Sequence, residues 1–71
     1  MASLETLDGV VSSFDDPRGI GEILGSDGVS RRFHCTQIAD GSRSIAPGTE
    51  VRFTVIAASD GTWEAGSVEP A

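Results

Sequence analysis

The chain has 71 residues and a mass of 7.4 kDa, room for one small domain over 1–71 with its core at about 7–69. Eleven acids against five bases leave a net charge of −6, and every base is an arginine: Arg18, Arg31, Arg32, Arg43 and Arg52. That balance excludes a generally polycationic nucleic-acid binder and a binder of acidic membranes, although screening over ~8 Å leaves local arginine contacts open.

The predicted elements are short strands divided by turn residues at roughly ten-residue spacing. Nine glycines and three prolines are scattered closely enough to exclude long helices. Strand one covers Gly9–Phe14. Asp15–Gly19 (DDPRG) forms a turn in which Pro17 fixes φ. Strand two runs over Gly19–Leu24, with Ile20 and Glu22 on one face and Gly21 and Ile23 on the other. Gly25–Gly28 (GSDG) is a second turn, and strand three covers Ser30–Cys35, with Phe33 on one face and Arg32 and His34 on the other. A single helical turn is expected over Thr36–Ala39, with Thr36 as its N-cap. Asp40–Ser44 is a surface loop and Ala46–Gly48 a turn. Strand four has the clearest period, Val51, Phe53 and Val55 alternating with Glu50, Arg52 and Thr54. Ser59–Gly61 turns into strand five, Thr62–Val68, and Glu69–Ala71 is read as a frayed tail.

Five strands and one helical turn predict an all-β fold, a five-stranded antiparallel OB-type barrel whose closure removes exposed sheet edges. The expected core is Val11, Ile23, Phe33, Ile38, Ile45, Val51, Phe53, Val55, Ala65 and Val68. No apolar stretch approaches the ~20 residues of a membrane span, and the N-terminal residues lack the basic and apolar regions of a signal peptide. The lone Cys35 suits a reducing compartment, so the expected setting is the cytoplasm and the expected state a monomer.

Gly9-x-Val11-x-x-Phe14-Asp15-x-x-Arg18-Gly19-x-Gly21-x-Ile23 resembles the opening of the bacterial cold-shock domain family, G-x-V-K-W-F-N-x-x-K-G-F-G-F-I. Phe33-His34-Cys35-Thr36-x-Ile38 is similar to that family's V-H-x-S-x-I, Ile45-x-x-Gly48-x-x-Val51-x-Phe53 to its L-x-x-G-x-x-V-x-F, and Ala65-x-x-Val68 to its closing A-x-x-V. The resemblance covers nearly the whole chain and implies an OB-type barrel that binds single-stranded RNA and DNA. The family binds by stacking bases on aromatic side chains of strands one to three. Of seven such positions two are kept, Phe14 and His34; the others are Ser13, Ile20, Glu22, Arg32 and Cys35. Base–aromatic stacking is worth ~1–3 kcal/mol per base, so these replacements predict weak, largely sequence-independent binding. The resemblance implies a site of Phe14, Ile20 and His34, joined by Trp63 as a new aromatic, with Arg18, Arg32 and Arg43 meeting phosphates. The alternative is a protein-interaction module on the same barrel, its partner a protein with a basic surface.

Strand pairing brings Glu22 opposite Arg32, so an ion pair across the strands is preferred to a free arginine. Trp63 shares a face with Ala65, which predicts that it caps the core, base stacking being the alternative. His34 is expected half-exposed, and Cys35 a semi-buried hydrophobe on the opposite face. That separation argues against a metal site or an activated thiol. Asp8, Asp15 and Asp16 read as turn and surface acids, and Gly19-x-Gly21 lacks the remainder of a dinucleotide fingerprint. Nothing assembles a nucleophile, base and oxyanion hole, so no enzyme, cofactor or metal is expected.

Overall fold

The computed structural model describes residues 6–57 and 61–71. Five strands, β1 (Thr6–Asp15), β2 (Ile20–Gly25), β3 (Ser30–His34), β4 (Glu50–Ala57) and β5 (Trp63–Pro70), close a barrel in the order β1-β2-β3-β5-β4. The all-β, five-stranded OB-type architecture matches the expectation with one correction: it is mixed, because β3 meets β5 in parallel at Arg32↔Glu64. The other pairings between these strands are antiparallel. The expected Ser59–Gly61 turn rests on residues 59 and 60, which lie outside the described residues.

The interior is filled by Val11, Ile23, Phe33, Ile38, Val51, Phe53, Ala65 and Val68, all buried. Ile45 and Val55, also expected inside, are only partly buried against this cluster, with Leu7, Phe14 and Cys35. Two bulges bend the wall. One lies in β1 between Val11 and Ser13, where the Ser12 hydroxyl donates to the Glu22 carbonyl at 3.2 Å. The other interrupts β4–β5 pairing between Arg52 and Thr54, where Ser67 on the facing strand takes φ of 49°. The extra residue of this second bulge lies in β5, so the inward phase shifts there: Ala65 and Gly66 are both buried, and burial resumes at Val68.

Several boundaries move. β1 extends to Thr6 and Asp15, and β2 starts at Ile20 because Gly19 is a turn residue at φ of 66°. The helical turn is a 3-10 helix over Cys35–Gln37, and its N-cap is His34 rather than Thr36. The 69–71 tail is not frayed: Pro70 pairs with Val51, and the Ala71 N–H donates to the Glu50 carbonyl at 2.9 Å. Pro70 sits where a strand end needs no further ladder donor from it.

Candidate nucleic-acid interface

Alternation along β2 and β3 turns Ile20 and Glu22, and Arg32 and His34, to the outside, while Gly21, Ile23 and Phe33 go in. The register sets Ile20 against His34 and Glu22 against Arg32. Ile20, Arg32 and His34 come together in one surface pocket of about 160 Å³, completed by Phe33 and Glu64. A dry cavity of roughly 150 Å³ holds one benzene ring, so this volume suits a single heterocycle.

His34 owes its orientation to the cap it forms. The Thr36 N–H donates to His34 Nδ1 at 3.2 Å, and the Thr36 hydroxyl lies 3.0 Å from the same nitrogen. With Nδ1 accepting from the backbone, the ring hydrogen resides on Nε2, which is left to donate. The cap also corrects the expected geometry of the next residue. Cys35 has left the strand for the 3-10 turn, so its Sγ lies 3.9 Å from His34 Nδ1 instead of on the opposite face.

Beyond the Ile20–His34 pair the sheet ends. There a cleft of about 560 Å³ opens between the 16–19 turn and the 39–49 connection, lined by Arg18, Arg43, Asp16, Gly19, Cys35 and Ser44 among others. The Cys35 N–H donates to the Gly19 carbonyl at 2.7 Å and ties the 16–19 turn to the start of the 3-10 helix. In the connection, the Ser42 N–H donates to Asp40 Oδ1 at 2.9 Å, and the Ser42 contacts hold the Asp40 carboxyl below its ordinary value.

Two expected roles change and one is qualified. Glu22 and Arg32 are in register but form no ion pair; among the described residues the ion pairs are Arg18–Asp15, Arg31–Asp27 and Arg52–Asp8. Both side chains are exposed, where high dielectric and rotamer freedom leave little reason to hold one geometry. Trp63 does not cap the core. It is 62% exposed, because it starts β5 opposite exposed Ala57, beyond the filled part of the barrel, and it lines neither the pocket nor the cleft. Phe14 is only partly buried, with its ring stacked on Phe33 at 5.9 Å between centroids. One of its faces is thus committed to the core. Glu64 in the pocket wall escaped sequence reasoning, because only the parallel β3–β5 seam brings it beside Arg32.

No group of three or more His, Cys, Asp or Glu among the described residues could hold a metal, and no helix there is long and apolar enough to cross a membrane. No family model matches the chain, and no curated protein matches it.

Proposed function

We propose that this chain is a weak, largely sequence-independent binder of single-stranded RNA or DNA, of the cold-shock type, acting in the cytoplasm as a monomer without catalysis or cofactor. One observation carries the reading: Ile20, Arg32 and His34 share an outward pocket sized for a single ring, with two further arginines in the adjoining cleft. Ile20 offers an apolar wall, His34 Nε2 a donor to a base edge, and the Arg32 guanidinium a plane on which a base stacks. Exchange on and off such a surface is fast, which suits a chaperone that keeps RNA unpaired.

The test is a titration with labelled oligo-dT and oligo-U, at low salt and at ~150 mM. The expected dissociation constant at ~150 mM is tens of micromolar or weaker, weakening further with salt because phosphate contacts release counterions. Amide shifts should centre on Ile20, Arg32 and His34. Glu22→Gln, which removes a charge in register with Arg32, should tighten binding. No response to either oligonucleotide at low salt would sink the reading.

A second reading, a module for a basic protein surface, is favoured by a separate observation. The outer face around Val10 and Leu24 forms a hollow edged by Asp8 and Glu50, with no basic side chain in its lining. It gains if oligonucleotides leave the spectrum unmoved while a polybasic peptide shifts the amides of Val10 and Leu24.

A further inference from the structure

We propose that the cleft holding Arg18 and Arg43 seats a terminal phosphate monoester of a single strand whose end base lies in the Ile20–His34 pocket. The inference rests on the single-strand reading above and adds to it what is recognised: a phosphorylated end instead of an internal stretch of backbone.

Charge singles out this cleft. Two guanidiniums line it against one carboxylate, Asp16. The ring-sized pocket sets Arg32 against Glu64, and the third hollow has Asp8 and Glu50 with no cation. In a chain of net charge −6, cations outnumber anions in only this one of the three. Arg43 enters no ion pair among the described residues, and Arg18 touches Asp15 only through Nε at 3.8 Å. The Nη groups of both are left for a ligand. A phosphate monoester presents three acceptor oxygens and a charge of about −1.5 to −2 at neutral pH, a match for two guanidinium forks that a singly charged diester lacks.

Position explains why the ligand is an end. β2 begins at Ile20 and β3 stops at His34, so the outward platform for bases terminates at that pair. The cleft starts at the next residue on each side, Gly19 and Cys35. The two residues meet there because Gly19 has no Cβ, which would lie 2.8 Å from Cys35 Sγ. A strand laid on the platform with its last base against Ile20 and His34 therefore delivers its terminal phosphate between the arginines.

The experiment compares three short oligo-dT strands of equal length, one with a 5′-phosphate, one with a 3′-phosphate and one with neither, titrated at pH ~7.5 where the monoester is a dianion. One phosphorylated form should bind about three- to tenfold tighter than the bare strand, as expected for an added charge-assisted contact. Arg43→Ala should reduce that advantage to within about twofold, and lowering the pH below ~6 should reduce it as well, because the monoester takes up a proton. Arg18→Lys, which keeps the charge and loses the fork, should reduce it partly. Equal affinity for all three strands, or an advantage that survives Arg43→Ala, overturns this inference and leaves the single-strand reading standing. Failure of every strand to bind overturns both.

Discussion

Arg31 and Arg18 stand near opposite ends of β2 and differ in almost every contact. Where β2 turns into β3, only 11% of the Arg31 side chain is exposed. Its Nη2 is 2.7 Å from Asp27 Oδ2, its Nη1 3.2 Å from Asp27 Oδ1, and its guanidinium lies 5.9 Å from the centroid of the Phe53 ring. Where β1 turns into β2, 78% of Arg18 is exposed and its one ion pair is stretched to 3.8 Å. Strand phase makes the difference. Arg31 shares the inward face with Phe33, so its stem and planar head close the barrel over an aromatic floor. Arg18 belongs to a turn in water and is held by nothing rigid. One residue type thus serves as packing material at one end and as a candidate ligand contact at the other.

Phe53→Ala attacks the closed end most directly. It removes a fully buried ring together with the floor beneath Arg31, and should cost about 3–5 kcal/mol. A domain of this length holds about 4–10 kcal/mol in all, so urea denaturation should find the variant close to unfolded. A loss below about 1.5 kcal/mol would mean that this end is loosely packed and the contrast with the other is false.

At the open end the largest effect should come from Gly19→Ala. The position has φ of 66°, and the new Cβ would meet Cys35 Sγ at 2.8 Å. The expected loss is about 1–2 kcal/mol, read as a shift in the urea midpoint, together with weaker binding of any ligand that uses the cleft.

Acid should reach the closed end through Asp27. Hydrogen bonding from Arg31, followed by the Val29 N–H, holds the Asp27 carboxyl below its ordinary value of 3.8. A folded value below the unfolded one means that the contribution is complete above the unfolded value of 3.8 and is lost as pH falls through the folded value. Urea midpoints of the parent chain should therefore exceed those of Asp27→Asn at about pH 5–7 and converge with them in strong acid. A gap that persists at low pH would show that Asp27 acts through its turn geometry and not through its charge.

The smallest effect is assigned to Arg18→Ala. An exposed pair of this kind contributes at most about 0.5 kcal/mol, and the change should leave the midpoint almost unmoved while lowering affinity for single strands. A clear loss of stability would place Arg18 in the frame and dissolve the comparison.

Much of this frame was legible in the residues. The alternation of Val51 and Phe53, the glycine and proline spacing and the Phe33–Ile38 segment were enough for a five-stranded barrel, and eight of the expected core residues are buried as anticipated. Three features had no local signal. Ser67 is not a residue type that announces a left-handed bulge. The β3–β5 seam depends on where two distant strands come to rest. Trp63 was misjudged because alternation gives a face and says nothing of whether the core extends beneath it. In the site, the shared face of Ile20, Arg32 and His34 follows from periodicity, whereas Arg43 joins Arg18 through an irregular connection that no period describes. The closed end was missed too: a charged residue between polar neighbours in a strand carries no mark that it will be packed inward.

The parallel seam bears on the order in which the chain assembles. The β1–β2, β2–β3 and β4–β5 pairings join strands that are neighbours in sequence, each closing a modest loop, whereas the β1–β4 ladder, from Thr6↔Thr54 to Val10↔Glu50, joins distant strands through five residue pairs. The seam is stitched by Arg32↔Glu64 and the lone bridge Ile38↔Val68, and each ties together residues far apart along the chain. Closing so long a loop costs entropy before many contacts repay it. The three-strand meander and the terminal hairpin should therefore form as separate pieces in the folding transition state, with the cylinder shut only on the downhill side. A substitution at Val68 that weakens its bridge to Ile38 would then accelerate unfolding and leave the refolding rate nearly unchanged.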